Sequence, residues 1–341
     1  MDMKTRFLKV KLMHILRRGT VGCALLVIIG EIIARFVIGL GTPPLSIVHP
    51  TIEYMFKPNQ DIRRFHNTQY YNRFGMRSED FEGDRSNSNE LRVFVLGDSV
   101  LNGGNLTDQR DLATAIVDRE LEATGQFDNV VVGNISAGSW GPGNQLAYVQ
   151  EFGLFDADIV VLVISSHDYF DVPTFDSLKP GTHPTSTPIS AVAEGVQRYL
   201  PRYIPAFGSP DAKHMLAKEP DAETTSGDIR KLLQVATQLS SRCLVVQYLS
   251  RGEIQTGQFE SGFSEIKSIC SELGLLTLTT RESFADAVKN GLNPFRDSIH
   301  PNDAGQRLLA DVILRAFRQS EAVITNAAAD SSEQRVVLEQ K

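Results

Sequence analysis

Five short runs of almost unbroken apolar sequence constrain this chain more than any other feature. They are LRVFVLG (91–97), NVVVGNI (129–135), DIVVLVISS (158–166), CLVVQYL (243–249) and LLTLTT (275–280). A strand with one wet face alternates apolar and polar residues, whereas one that is apolar throughout is covered on both faces. That is the habit of parallel sheets wrapped in helices. Helical periodicity fills the gaps. DQRDLATAIVDRELEAT repeats apolar residues at Leu112, Ile116 and Leu121, a short helix is expected over 144–153, and IRKLLQVATQLSS, FSEIKSICSELG and NDAGQRLLADVILRAFRQ read as three more. The alternation predicts one α/β domain over 91–320, a three-layer α/β/α arrangement with about five parallel strands.

Other segments flank or interrupt it. Residues 42–90 contain proline and turn strongly polar, an irregular lead-in that ends in a linker at GDRSNSNE. Residues 170–225 hold eight of the fifteen prolines and have no strong period. A long insertion of this kind leaves the carboxyl edge of the third strand, where open α/β sheets bind ligands, so it reads as a lid or substrate groove, or else as a packing or partner-docking loop. The tail from 321 to 341 is polar enough to fray.

The N-terminus has a character of its own. Residues 1–18 carry six basic side chains against Asp2, and GTVGCALLVIIGEIIARFVIGLG follows at 19–41, enough helix to cross a bilayer. Glu31 and Arg35 interrupt it four residues apart, on one helix face where they can pair. No small-x-small cleavage site follows, so the segment reads as an uncleaved anchor rather than a signal peptide. The basic head then stays in the cytoplasm and everything beyond residue 41 lies outside the inner membrane. The head accounts for +5 of a formal charge of −7, which leaves residues 19–341 at −12. An acidic body without a basic stripe argues against a nucleic-acid partner. Cys243 and Cys270 have no metal-ligand spacing; they are either a pair or two small buried hydrophobes. The seven histidines are scattered and no H-x-x-x-H or carboxylate cluster occurs, so no metal and no cofactor is expected.

Two stretches carry chemistry. In VFVLGDSVLNGG (93–104), Ser99 follows the first strand and precedes a glycine-rich turn. Read alone it is a helix-capping or turn serine as readily as a nucleophile. In FRDSIHPNDAG (295–305), Asp297 and His300 stand three apart before the last helix. A carboxylate at that spacing can hold one imidazole nitrogen and leave the other free as a base. Loops after the first and last strands of a parallel sheet open on one edge, as do those carrying NISAGSWGPGNQ (134–145) and VISSHDYFD (163–171).

Taken together these blocks resemble the SGNH (GDSL-like) hydrolase family. Gly97-Asp98-Ser99 matches its nucleophile block, Asn134 to Gly143 its glycine block, Ser165 to Asp168 the position of its Gly-x-Asn-Asp block, and Asp297-x-x-His300 its last block. The resemblance implies a flavodoxin-like sheet, with Ser99 as nucleophile, His300 as base and Asp297 as its orienter. It implies oxyanion donors at the Ser99 N–H and in the glycine block, where Gly138 or Ser139 can serve. Where the family has asparagine this chain has His167, whose ring N–H is the candidate side-chain donor. With its anchor and lead-in the chain looks like the exported SGNH proteins of bacterial exopolysaccharide pathways, which deacetylate or acetylate sugar hydroxyls. That implies a periplasmic catalytic domain on a single-pass inner-membrane anchor, an acylated polysaccharide or oligosaccharide substrate, and polysaccharide-export machinery as a partner.

Three other readings compete. AGSWG (137–141) is one residue from a nucleophile elbow centred on Ser139, but Gly141-Pro142-Gly143 stands where a helix should begin. A metal hydrolase lacks ligands. A glycan-binding or scaffolding module that has lost activity, with His167 marking the decay, is the non-enzymatic alternative.

Overall fold

The computed structural model describes residues 3–200 and 222–320. Helix α1 (Met3–Ile32) runs on into a π-helical stretch over Ile33–Ile38. Within it Met13–Ile38, 26 residues, is long and apolar enough to cross a membrane. Four short strands follow. β1 (Ser46–His49) pairs antiparallel with β2 (Glu53–Phe56), and β3 (Gln60–Arg64) forms a second two-stranded sheet with β4 (Asn67–Tyr71).

The main sheet has five strands: β5 (Glu90–Gly97), β6 (Asn129–Ser136), β7 (Ile159–Ser165), β8 (Arg242–Tyr248) and β9 (Leu276–Thr279). All neighbours are parallel, in the order β6-β5-β7-β8-β9. Counted from its own first strand this is 2-1-3-4-5, the flavodoxin-like order. The helices are α2 (Ser99–Asn102), α3 (Ala113–Glu122), α4 (Pro142–Phe152), α5 (Ala191–Arg198), α6 (Ala222–Leu239), α7 (Arg251–Thr256), α8 (Ser261–Glu272), α9 (Arg281–Lys289) and α10 (303–320).

Because side chains alternate across a strand, each apolar run feeds two cores. Val93, Val95, Val161 and Val246 point to the layer built by α3, α9 and α10. Phe94, Leu96, Leu162 and Val245 point to the other side, where α4, α6 and α8 lie against one another. The three-layer arrangement and the five strands match expectation, each strand within a residue or so of its predicted ends.

The lead-in is less irregular than its composition suggests. Its strands are too short, and their polar residues too frequent, to register as a period. Phe74 and Phe81 pack with Phe94 and Phe155 at ring separations of 4.5–5.5 Å, so this stretch helps to cover the main sheet. Buried Arg92 ties it down further, donating to the carbonyls of Glu82, Gly83 and Asp84. Cys243 and Cys270 are both free and buried, and burial pushes the Cys243 thiol up to about 12.

By internal contacts, residues 3–45, 62–66 and 178–200 form one compact unit and the rest of the described chain another. The described end of the insertion thus belongs with the N-terminal helix; residues 201–221 of the insertion and the tail 321–341 lie outside the described residues.

Gly133 offers a test of the packing. It stands beside Phe94 in the β5–β6 register, and a Cβ there would lie 2.3 Å from the Phe94 ring. Gly133→Val is expected to cost about 1–3 kcal/mol through overpacking, read as a lower midpoint in denaturant. An unchanged midpoint would show that the ring can move aside.

Candidate active site

β5 ends at Gly97 and the chain turns at once into α2, a single helical turn. Asp98 caps it, its Oδ1 accepting from the Val100 N–H at 2.8 Å. Ser99 is therefore the first helical residue, and its N–H is one of the helix-start donors that no intrahelical carbonyl can reach. Buried polar side chains hold the turn from behind. Asn102 Nδ2 donates to the Ser136 carbonyl at 3.0 Å, and Asn134 Nδ2 to that of Leu101 at 3.3 Å. Gln306 Nε2 donates to the Val100 carbonyl at 3.0 Å, which joins α10 to α2.

His300 reaches this turn from the loop before α10. Its Nε2 lies 3.0 Å from Ser99 Oγ, and its Nδ1 2.8 Å from Asp297 Oδ2. The other Asp297 oxygen accepts from the N–H groups of Ile299 and His300 at 2.9 and 2.8 Å. Burial works against the Asp297 charge, but those N–H groups and the imidazole hold its carboxyl below the ordinary value. The loop is pinned on both sides. Tyr248 Oη donates to the Ile299 carbonyl at 2.6 Å, and the Arg296 N–H to the His300 carbonyl at 2.8 Å.

The glycine block makes a tight turn from Ala137 to Trp140, with Ser139 at φ 64°. A left-handed residue in third place is what a type II turn requires. The Tyr54 hydroxyl donates to the Gly138 carbonyl, and the Tyr54 carbonyl accepts from Trp140 Nε1 at 2.9 Å. Ser139 is exposed, and α4 starts only at Pro142, three residues on. The imidazole that could activate a serine faces Ser99, which removes the geometric basis for a Ser139 elbow.

His167 is placed less simply. Its Nε2 lies 3.4 Å from Asp98 Oδ2, 3.4 Å from Asp168 Oδ1 and 3.8 Å from Asp171 Oδ2. Burial alone would lower its pKa, but the approach of Asp98 and the charges of Asp168, Asp98 and Asp171 outweigh that and raise it to about 10. Burial and the Asp98 charge push the Asp168 carboxyl up. A ring whose Nε2–H faces carboxylates has only its Nδ1–H left to offer a substrate oxygen. The fold also gathers what no sequence spacing announced: ligand atoms of Asp98, His167 and Asp168 within 4.8 Å of one another, a set that could hold a divalent cation. With its pKa near 10 the imidazole carries a proton at neutral pH, and a cation would have to displace it.

Sequence reasoning missed several supports. Arg77, with no exposed surface, donates to the carbonyls of Asn102, of Gly104 at 2.6 Å and of Thr107 at 2.7 Å, shaping the loop after Ser99. Arg296 Nη2 donates to Thr107 Oγ1 at 2.8 Å from the other side. Tyr54 and Arg77 both come from the lead-in, where no local pattern marks them.

No family model and no curated protein matches this chain. Among solved structures it is similar to an acetyl xylan esterase at 16% identity, covering 66% of this chain and 99% of that one, TM-score 0.45. A two-domain esterase active on acetylated mannans is similar at 15% identity over 67% of this chain and 49% of its own, TM-score 0.44. A catalytic mutant of an acetylxylan esterase from Geobacillus stearothermophilus gives 17% over 66% and 93%, TM-score 0.45. These are remote likenesses in the path of the backbone.

The His167 cluster predicts a pH signature. A raised pKa stabilises the fold only while the ring is protonated, so the contribution is complete below the ordinary value of 6.5 and fades as pH rises toward about 10. The thermal midpoint of the parent chain, compared with His167→Asn, should lose its advantage between about pH 7 and pH 10. A constant difference across that range would contradict the assignment.

Proposed function

We propose that the chain is a membrane-anchored serine esterase or O-acyltransferase acting on esters of extracytoplasmic polysaccharide through an acyl-Ser99 intermediate. One observation carries the reading: Asp297, His300 and Ser99 form a continuous hydrogen-bonded relay, 2.8 Å and 3.0 Å, between side chains 201 residues apart at its far end. Such a line is what a serine hydroxyl needs to become a nucleophile at neutral pH.

In the first half-reaction Ser99 Oγ bonds to the ester carbonyl carbon while its proton passes to His300 Nε2. The carbonyl electron pair moves onto oxygen. Asp297 Oδ2 accepts from Nδ1, keeps the ring in the useful tautomer and stabilises the imidazolium. The oxyanion is met by the Ser99 N–H, by that of Gly138 or Ser139, and by the His167 ring. The intermediate collapses, the C–O bond to the sugar breaks, and the leaving hydroxyl takes the proton from His300. In the second half water or another sugar hydroxyl attacks the acyl carbon and gives its proton to His300, which passes it to Ser99 Oγ as the acyl C–Oγ bond breaks. Water as acceptor makes an esterase and a sugar makes a transferase.

The acyl group is taken as acetyl, and the substrate as polysaccharide, on the resemblance of the four sequence blocks. The anchor rests on the apolar helix, and its orientation, N-terminus in the cytoplasm and relay in the periplasm, on the basic residues ahead of it. Polysaccharide-export machinery is the corresponding partner.

Turnover of 4-nitrophenyl acetate by the full chain in detergent tests the reading. Ser99→Ala is expected to lose about a thousandfold or more with its thermal midpoint kept. A folded parent with no turnover would favour the glycan-binding or scaffolding alternative.

A further inference from the structure

Helix α5 is built inside out. Its charged residue Glu194 is buried, paired with Arg64 Nη2 at 2.6 Å and with Arg198 Nη1 at 3.1 Å, and accepts from the Gly41 N–H at 2.7 Å. Its apolar residues face outward: Ile189, just before the helix, is 101% exposed, Val196 52% and Val192 39%. Val192 and Val196, four apart, share one face of the helix, and Ile189 flanks it from the extended chain before the Ser190 cap. A helix surrounded by water shows the reverse arrangement.

Its position explains the inversion. The Glu31 carboxylate of α1 receives the first N–H groups of α5, Ala191 at 2.8 Å and Val192 at 3.2 Å, together with the Ser190 hydroxyl at 2.8 Å. Arg35 donates to Glu31 at 2.6 Å and to the Ile189 carbonyl at 3.0 Å. A Cβ on Gly30 would lie 3.7 Å from Val192. Glu31 and Arg35 fall within the 26-residue apolar stretch Met13–Ile38, on whose surface Phe36 is 75% exposed. α5 is thus bonded to α1 within the apolar stretch itself, through Glu31 and Arg35, and exposed Phe36 follows directly in sequence.

We infer that α5 is a membrane foot, lying against α1 with Ile189, Val192 and Val196 in the headgroup–acyl boundary of the leaflet where the span emerges. The occupant of this face is the bilayer. The inference rests on the reading that α1 crosses the membrane. The inward charges of Glu194, Arg64 and Arg198 satisfy one another, so the face that Val192 and Val196 share carries no charge to lipid, and polar Gln197 is exposed beside it.

The test uses the full chain in phosphatidylcholine vesicles with Cys23→Ala, since Cys243 and Cys270 are buried. Single cysteines at Val196, at Phe36 and at exposed Leu292 carry a bimane label, and lipids with brominated acyl chains serve as quencher. Phe36→Cys and Val196→Cys should each lose about half their emission and Leu292→Cys almost none. Quenching at Phe36 without quenching at Val196 overturns the foot and leaves the span standing. No quenching at either overturns the span, and the foot with it. Val196 emission that shifts with protein density, but not with brominated lipid, assigns the face to a second copy and also overturns the proposal.

Discussion

The 3.0 Å approach of His300 Nε2 to the Ser99 hydroxyl is the constraint on which the rest of the site depends. A hydroxyl, an imidazole and a carboxylate must fall in one line, yet the hydroxyl and the imidazole are 201 residues apart in sequence. A parallel sheet solves this, because every strand ends at the same edge and its loops open there together. β5 delivers Ser99 directly. The loop ahead of α10 delivers Asp297 and His300, fixed by Tyr248 at the end of β8 and by the Gln306 link from α10 to α2.

Alignment at this scale needs rigid support, and buried polar groups provide it. Arg77 gathers three carbonyls of the loop after Ser99 around one guanidinium, and burial pulls its pKa down. Asn134 and Asn102 tie the same turn to β6. Each such group is costly to bury unpaired, so a shift of the turn is penalised by every partner it would leave behind. The residues before the sheet share the work: Phe74 and Phe81 close over Phe94, while Tyr54 holds the Gly138 turn.

Much of this was legible in the sequence because burial on both faces writes an unbroken apolar run. Each of β5 to β9 shows one, and the end of β5 located the loop that carries Ser99, whereas α9 stands between the last strand and the loop of Asp297 and His300. The Asp297–His300 pair was legible because both residues sit in one short loop. Arg77 and Tyr54 were not: each acts through a single tertiary contact, and an arginine or tyrosine in a polar stretch has no period. The same holds for α7 and α9, too short to repeat a face convincingly. His167 was visible as a departure from the family pattern, but not its surroundings, since Asp98 comes from a different loop. The insertion had no period to read: its prolines left a lid and a packing loop both open, and residues 178–200 of it cluster with the N-terminal helix.

The central claim is that Ser99 is activated by the relay it shares with His300 and Asp297. The most direct measurement is the intact mass of the folded chain after exposure to a fluorophosphonate, followed by peptide mapping. One adduct at Ser99, abolished by prior unfolding and strongly slowed in His300→Ala, is the predicted result. A folded chain that takes up no phosphonate, or takes it up at Ser139, would contradict the account.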